Sequence, residues 1–231
     1  MRVEIWSDIV CPFCYIGKRR FEAGLREFAQ RDEVEIVHRS FELDPSITIY
    51  PEKTLFEIAA AKYGTTPEST KKDSIAVTER AKKEGLVFNY ESVKHTNSMD
   101  SHRLILFARG FGKENVVLEL LYKAYFTDSL HIGERETLLS IAEHAGLDRL
   151  ETANMLDSDR YHDAVREDER TASKLGISGV PFYLVDGKYA VSGAQPAVVF
   201  TEALQNAWEE RAKVKNKAAE EDVGMCKDGF C

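Results

Sequence analysis

The sequence predicts an α/β protein in which one sheet domain is interrupted by a large, all-helical insertion. Strand-like runs occur only near the two ends of the chain, and residues 46–165 between them are rich in helical patterns. The two ends complement each other as parts of a single sheet. A chain of 231 residues is long enough for one large domain, or for one domain that carries an insertion.

The composition excludes several classes of protein. The hydrophobic fraction of 43% is that of a folded globular chain, so disorder is excluded for most of the length. A net charge of −8 argues against nonspecific binding to nucleic acid, which depends on basic surface. The sequence also has no apolar run of about 20 residues, so we expect neither nucleic acid nor membrane as a partner.

The first 45 residues predict a strand, a helix and a second strand. Residues 3–7 form a short run rich in apolar side chains, and residues 34–41 form a run rich in β-branched side chains. Between them Phe21, Leu25 and Phe28 recur at spacings of four and three, which marks one apolar face of a helix. This end of the chain therefore has the pattern β-α-β.

Residues 46–165 predict a block of helices with a packed apolar interior. Thr66 and Pro67 suit the N-cap and first turn of one helix, and Gly85 suits its end. Large apolar residues at helical spacing are typical of buried core. They predict further helices over four ranges: 52–63, 98–109, 114–126 and 134–145.

The C-terminal part returns to strands after a helix near residues 163–175. Asp186 and Gly187 lie between two apolar runs, residues 182–185 and 189–192, and predict a hairpin with a type I′ turn. A final helix begins near Ala197. It grades into a run of mixed charge over residues 209–222, which predicts a solvated helix or a flexible tail.

The full order, β-α-β, helices, then α-β-β-α, is the thioredoxin arrangement with a large insertion. We therefore assign residues 1–45 and 166–208 to a discontinuous thioredoxin-like domain. Residues 46–165 form the helical insertion domain. Residues 209–231 form a charged C-terminal extension that carries a C-x4-C pair.

The four cysteines form two close pairs, Cys11 with Cys14 and Cys226 with Cys231. The N-terminus shows no basic segment followed by an apolar core, so we expect no export signal and a cytoplasmic protein. Thiols in that compartment are mostly reduced, which makes structural disulfides unexpected. Redox chemistry or metal binding is therefore the question that the cysteines raise.

The first pair has the spacing and setting of a redox centre. Cys11 and Cys14 lie where the first strand gives way to the first helix, and Pro12 suits the first helical turn. The N–H groups and dipole of a helix N-terminus favour a thiolate, which is the nucleophilic form. We expect Cys11 to be the exposed attacking thiol. Cys14 should be the more buried thiol that resolves a mixed disulfide.

A rival interpretation places all four thiolates on one zinc ion, since tetrahedral sites use paired cysteines. Pro12 and Phe13 at a helix start fit a redox disulfide better than a zinc knuckle, so we expect no metal. A buried, inert pair is a further alternative. A peptide-binding chaperone without catalysis is another.

Three segments carry a family resemblance: IWSDIVCPFCYIGK at residues 5–18, TNSMDSHRLILFA at 96–108, and GISGVPFYLVDGKYAVSGAQP at 176–196. With them the chain resembles the DsbA-like thioredoxin-fold oxidoreductases, and most closely the FrnE-like subgroup of dithiol-disulfide isomerases.

The resemblance implies roles for residues of both ends of the chain. It implies Cys11 as nucleophile, Cys14 as its partner, and Pro181 as the cis-proline beside the active-site disulfide. It implies that the backbone of Val180 pairs with an extended substrate segment. We add the hypothesis that Phe13 and Phe182 give this substrate-binding surface its apolar character.

These features predict a cytoplasmic thiol-disulfide oxidoreductase or isomerase that acts on protein disulfides. It needs no cofactor beyond a thiol reductant such as glutathione or thioredoxin. The strongly oxidising periplasmic enzymes have a His where this chain has Phe13. A protonated His stabilises the thiolate, so we expect a less oxidising couple here, nearer about −200 to −230 mV than about −120 mV.

A different activity remains open because the opening segment and the region of Asn97 and His102 also resemble two glutathione-dependent groups. These are the hydroxychromene-carboxylate isomerases and the kappa-class glutathione transferases, which use serine where this chain has Cys11. Asn97 and His102 would then face a substrate cleft. The preferred interpretation is that Asn97 caps the next helix and His102 is a packed surface histidine.

The second pair has no helix or strand periodicity and is flanked by glycines. A flexible tether from Trp208 to Cys226 would span on the order of 23 Å and could bring this dithiol to the first. We therefore expect Cys226 and Cys231 to act as an auxiliary redox pair. An accessory dithiol without a catalytic role is the alternative.

Overall fold

A computed structural model describes residues 1–225 and has a mixed four-stranded sheet in the order β2-β1-β3-β4. The central strand β1 runs parallel to β2 and antiparallel to β3, and β3 pairs with β4 as a hairpin. The two ends of the chain therefore build one sheet, as the sequence predicts. The strands are β1 (Arg2–Ser7), β2 (Glu35–Ser40), β3 (Phe182–Val185) and β4 (Tyr189–Ser192).

Nine α-helices accompany the sheet in the described part of the chain, and six of them, α2 to α7, lie between β2 and α8. They are α1 (Pro12–Glu27), α2 (Leu55–Tyr63), α3 (Pro67–Lys83), α4 (Met99–Arg109), α5 (Glu114–Phe126), α6 (Arg135–His144), α7 (Arg149–Leu156), α8 (His162–Lys174) and α9 (Ala197–Met225). The structure thus confirms an α/β fold with a large helical insertion. Its division into separate domains stays a prediction.

Capping and turn residues lie at the ends of these elements, where the sequence predicts them. The Thr66 side chain accepts a hydrogen bond from the Ser69 N–H, which caps α3, and Gly85 follows that helix with φ of 74°. Asp186 and Gly187 have φ of 51° and 70°, as a type I′ turn requires. The hairpin is therefore confirmed in turn type as well as in extent.

Helix α7 is absent from the sequence-based prediction. Only Thr152 and Met155 of its eight residues are buried, so it presents no clear apolar stripe. Its beginning is nevertheless marked, because the Asp148 side chain accepts a hydrogen bond from the Glu151 N–H. An N-cap residue without a following apolar periodicity is too weak a signal to predict a helix from the sequence.

Both faces of β1 are covered, which explains its apolar sequence. On one face Ile5 packs with Phe21 of α1 and Phe200 of α9. On the other face Trp6 packs with Ala172 of α8, and its Nε1 donates to the Asp168 carbonyl at 3.1 Å. The start of α1, which follows β1 directly, is thereby held at a fixed place on the sheet.

Stacked aromatic rings join α1 to the insertion. The ring of Tyr15 lies 4.7 Å from that of Tyr122 in α5, and 6.0 Å from that of Phe88, with both pairs stacked. Among residues 1–225, no helix has the length and apolarity needed to cross a bilayer. Helix α9 continues through the predicted C-terminal extension as far as Met225, so the segment after Trp208 is helical in this structure and not the flexible tether that the sequence analysis expected.

Candidate active site

Cys11 and Cys14 lie in the first turn of α1. Cys11 is the N-cap residue, with extended backbone angles (φ −90°, ψ 114°), and Pro12 is the first helical residue. The Cys14 N–H donates to the Cys11 carbonyl at 3.1 Å. Both sulfurs are free in this structure. Strand β1 fixes where the helix begins, and the proline suits that position because it lacks an N–H.

The loop before β3 faces the first cysteine. The Val180–Pro181 peptide bond is cis, and the Cys11 Sγ lies 3.6 Å from the Val180 carbonyl oxygen. The Pro181 carbonyl accepts a hydrogen bond from the Gly193 N–H at 2.8 Å, which attaches the loop to the end of β4. The structure therefore brings together Cys11, Val180 and Pro181, residues that are about 170 positions apart in sequence.

The two phenylalanines of the predicted substrate surface are separated. Phe13 lines a cavity with Val180 and Pro181, beside the cysteines. Phe182 instead packs against Trp6, with ring centroids 6.3 Å apart, on the sheet face that α8 covers. Of the two side chains, only Phe13 lines that cavity.

The prediction that Cys11 is exposed is wrong for this structure. Its exposed fraction is 4%, against 2% for Cys14. Both cysteines belong to the large buried cluster, and Phe13, Tyr90 and Val180 pack against that cluster. Most of that cluster comes from the insertion, which the local sequence around Cys11 could not reveal.

Burial also affects the pKa of the Cys14 thiol. It raises the pKa of the Cys14 thiol well above the usual value, and the adjacent Cys11 adds to this effect. A hydrogen bond from the Asp8 N–H to the Cys14 Sγ, at 3.5 Å, acts in the opposite direction. Cys14 is therefore a protonated thiol at neutral pH and must lose that proton before it can attack a disulfide.

A carboxylate and a histidine lie beneath the cysteines. Asp8 is fully buried, and its Oδ2 accepts a hydrogen bond from the Leu43 N–H at 2.7 Å. His102 lies with Nε2 3.4 Å from Asp8 Oδ1. Burial alone would raise the pKa of Asp8, but His102 and the Leu43 N–H together hold it below its usual value. Asp8 is therefore an anion inside the core.

The structure bears on the two expectations for His102 and Asn97. His102 is 2% exposed, so it is a core residue on Asp8 and not a surface histidine. The burial follows from α4, whose first two turns are largely enclosed. Asn97 lies one residue before Ser98, the N-cap of α4, and its Oδ1 accepts a hydrogen bond from the N–H of Met99, the first helical residue, at 2.9 Å. Its Nδ2 donates to the buried Glu42.

One carboxylate of the insertion, that of Glu119, binds several side chains of α1, the helix that begins after Cys11. Glu119 in α5 accepts a hydrogen bond from the Tyr15 hydroxyl at 2.7 Å and forms ion pairs with Lys18 and Arg19. All three partners belong to α1. Burial opposes ionisation of Glu119, but these partners outweigh it and lower its pKa to about 2.

Asp8, Tyr90 and Glu119 are site residues that the sequence analysis missed. Only Asp8 gave a signal, as an acidic residue inside the otherwise apolar run that precedes Cys11. The described residues contain no cluster of three or more metal-ligating side chains. Cys226 and Cys231 lie outside the described residues, so both the auxiliary redox pair and the four-cysteine zinc site stay predictions.

A dithiol at the first turn of a helix, beside a cis-proline loop on a four-stranded sheet, defines a thioredoxin-fold protein. The sequence narrows this class further, because the DSBA-like thioredoxin domain family matches residues 2–205. The chain belongs to that family, which confirms the resemblance to DsbA-like oxidoreductases. Members of the family are oxidoreductases or isomerases.

Solved structures agree with this assignment. A probable DsbA oxidoreductase from Streptomyces coelicolor is 44% identical, with a TM-score of 0.86 and 91% of each chain covered. A 2-hydroxychromene-2-carboxylate isomerase is 17% identical, with a TM-score of 0.69, covering 93% of this chain and 99% of that one. The cytosolic disulfide reductase DsbM from Pseudomonas aeruginosa is 15% identical, with a TM-score of 0.60 and coverage of 95% and 99%. The last two likenesses concern the fold.

Proposed function

We propose that this protein is a thiol-disulfide oxidoreductase or isomerase that acts on protein disulfides through Cys11 and Cys14. The observation that carries the proposal is the contact between the Cys11 sulfur and the Val180 carbonyl. It places the nucleophile against the loop whose backbone would hold an extended peptide. None of the hydrogen bonds found within residues 1–225 uses the Val180 N–H, which leaves that donor for a substrate strand.

The proposed reaction has two exchange steps. The Cys11 thiolate attacks one sulfur of a substrate disulfide, forms a mixed disulfide and releases the other substrate sulfur as a thiolate. Cys14 then loses its proton and attacks the Cys11 sulfur, which releases the second substrate thiol. The substrate gains two electrons, and the Cys11–Cys14 pair is oxidised to a disulfide.

The proton of Cys14 needs an acceptor inside the core. We assign this role to Asp8, a buried anion whose backbone N–H already contacts the Cys14 sulfur. Because the pKa of Asp8 is lowered, its carboxylate would hold the Cys14 proton only transiently before passing it on. In isomerisation, the released substrate thiolate attacks again before Cys14 completes the second step.

A cytoplasmic setting fits this reaction, and it would make reduction or isomerisation the net direction. Glutathione or thioredoxin would then return the oxidised pair to the dithiol, without another cofactor. We also propose that the chain belongs to the FrnE-like subgroup, which its motifs resemble. We further propose that Cys226 and Cys231 exchange electrons with the first pair, as an auxiliary dithiol.

The first test is insulin disulfide reduction with dithiothreitol. We expect the intact chain to accelerate the reaction and Cys11→Ser to lose that acceleration. Cys14→Ser should accumulate a mixed disulfide with the substrate, because the resolving thiol is missing. Ser101→Ala, which removes a buried hydroxyl from α4, is the control for general damage to the core.

Several results would overturn this proposal. Without acceleration by the intact chain, turnover of a glutathione conjugate would favour a glutathione-dependent isomerase or transferase. One zinc ion retained per chain after anaerobic purification would favour the four-cysteine metal site. Peptide affinity that survives in the double variant Cys11→Ser/Cys14→Ser, with no exchange in the intact chain, would favour a chaperone.

A further inference from the structure

A cavity of about 270 Å³ lies directly beside the redox centre. Its floor is apolar and its rim is basic, and the lining residues come from α1, α3, the cis-proline loop and the segment after β4. They are Phe13, Ile16, Val180, Pro181, Gly193, Ala194, Arg20 and Arg80. Because Val180 and Pro181 are shared with the site described above, a peptide held at Val180 would place a neighbouring side chain at this cavity.

The two arginines of the rim differ in how they are balanced. Arg20 is fixed, since its Nε donates to Glu84 at 2.6 Å and its Nη1 donates to the Ala194 carbonyl at 2.7 Å. Arg80 is exposed, and it has no ion-pair partner among the described residues. A guanidinium at the rim of a cavity is well suited to bind a carboxylate, through two parallel hydrogen bonds.

The basic rim of this cavity contrasts with the net negative charge of the whole chain. The net charge is −8, so the field of the whole chain does not favour acidic ligands. Glu84 forms an ion pair with Arg20 through its Oε1. The rim therefore keeps one unbalanced positive charge at the place where the proposed substrate segment would dock.

We propose that Arg80 selects substrate segments in which an acidic side chain lies next to the disulfide cysteine. The cavity receives the aliphatic part of a Glu or Asp side chain, and the Arg80 guanidinium binds its carboxylate. Arg20 holds the wall of the cavity in place through Glu84 and Ala194. The inference rests on the proposed function and names the substrate class of that same site.

The test compares peptides that differ at one position. Three peptides with the same intramolecular disulfide carry Glu, Gln or Lys next to the cysteine, and kcat/KM is measured for each. For the intact chain we expect the Glu peptide to exceed the Gln peptide by about 3- to 10-fold, the range of a partly exposed ion pair. The Lys peptide should fall below both.

Variants then locate the preference. Arg80→Gln should reduce the Glu-to-Gln ratio of kcat/KM to about 1, and Arg80→Lys should retain part of it. Lys72→Gln removes the same charge from an exposed position of α3 outside the cavity, and the ratio should remain that of the intact chain. Raising the salt concentration from 0.05 to about 0.5 M should weaken the preference of the intact chain.

The outcomes separate this inference from the proposed function. Equal kcat/KM for the Glu and Gln peptides, with turnover that depends on Cys11, would overturn the selectivity and leave the oxidoreductase standing. A preference that survives in Arg80→Gln would also overturn it. If Arg80→Gln impairs only the reduction of glutathione disulfide, the cavity binds a glutathione carboxylate and the peptide assignment is wrong. No turnover of any peptide would overturn both.

Discussion

The sulfur of Cys11 lies 3.6 Å from the carbonyl oxygen of Val180, although the two residues are 169 positions apart in the chain. In the reduced protein the thiol can donate a weak hydrogen bond to that carbonyl. The nucleophile and the loop that would bind substrate are therefore in direct contact. A shift of either one changes the approach of a substrate disulfide to the sulfur.

The negative charge of Asp8 contributes to the raised pKa of the Cys14 thiol. We therefore expect Asp8→Asn to lower the pKa of Cys14. The measurement is the pH dependence of Cys14 alkylation in a Cys11→Ser background, with and without Asp8→Asn. Asp163→Asn, at a fully exposed position of α8, is the control and should leave the alkylation profile unchanged.

The same substitution tests the assignment of Asp8 as proton acceptor. If Asp8 receives the Cys14 proton, Asp8→Asn should slow the resolution of a preformed mixed disulfide by about 10- to 100-fold. Attack by Cys11 should slow much less. Resolution at the normal rate in Asp8→Asn, measured by stopped flow, would show that the proton leaves by another route.

Glu119 should make the fold sensitive to acid. Its pKa is about 2 in the folded protein against 4.5 normally, so its ionisation stabilises the folded state above about pH 4.5. This contribution is lost as the pH falls from 4.5 toward 2. At pH 7, Glu119→Gln should lower the free energy of unfolding by about 1–2 kcal/mol, a range discounted because part of the side chain is exposed.

Urea titrations at several pH values would measure this effect. The difference between Glu119→Gln and the intact chain should shrink below pH 4.5, where the intact carboxyl becomes protonated. Glu167→Gln removes an exposed pair with Arg170 and should change the free energy of unfolding far less. A pH-independent deficit for Glu119→Gln would mean that lost packing, and not lost charge, is the cause.

Helices α1 and α9 approach too closely for a side chain at Gly24. A Cβ atom there would lie 2.5 Å from the Ala197 carbonyl oxygen and 2.9 Å from the Phe200 Cβ. We expect Gly24→Ala to destabilise the fold by about 1–3 kcal/mol through overpacking. Gly110→Ala, where the nearest atom would be 3.5 Å away, should change stability by about 1 kcal/mol at most. Thermal unfolding of the two variants would compare them.

Phe13 should keep the redox couple from being strongly oxidising, because it cannot supply a positive charge beside Cys11. We expect a reduction potential near about −200 to −230 mV. Phe13→His adds a group whose protonated form stabilises a thiolate, so it should raise the potential toward about −120 mV. Phe13→Leu, which keeps an apolar residue, is the matched control. Equilibration with glutathione buffers would measure all three proteins.

Features coded by neighbouring residues could be predicted from the sequence. The type I′ hairpin follows from Asp186 and Gly187, and the position of the dithiol follows from Pro12 at a helix start. The α/β order also emerged correctly, because the strands β1 and β3 are short, apolar and bounded by turn residues. These predictions needed only local conformational preferences.

Features made by distant segments could not be predicted. Tyr90 packs against the buried cluster that contains Cys11, and His102 lies 3.4 Å from Asp8, because the insertion packs against the N-terminal segment. Arg80 reaches the rim of the cavity for the same reason. No local pattern marks such contacts, since they depend on how helices of the insertion are oriented on the sheet.

The division of the sheet between the two ends of the chain has a consequence for biosynthesis. Strand β1, Cys11 and Cys14 are translated before the insertion, whereas β3, the antiparallel partner of β1, begins at Phe182. At about 5–20 residues per second, a ribosome needs roughly 10–30 s to travel that distance. Throughout this interval the nascent dithiol lacks its finished surroundings. The reactive centre is thus completed only after the helical insertion and the segment that carries β3 have been made.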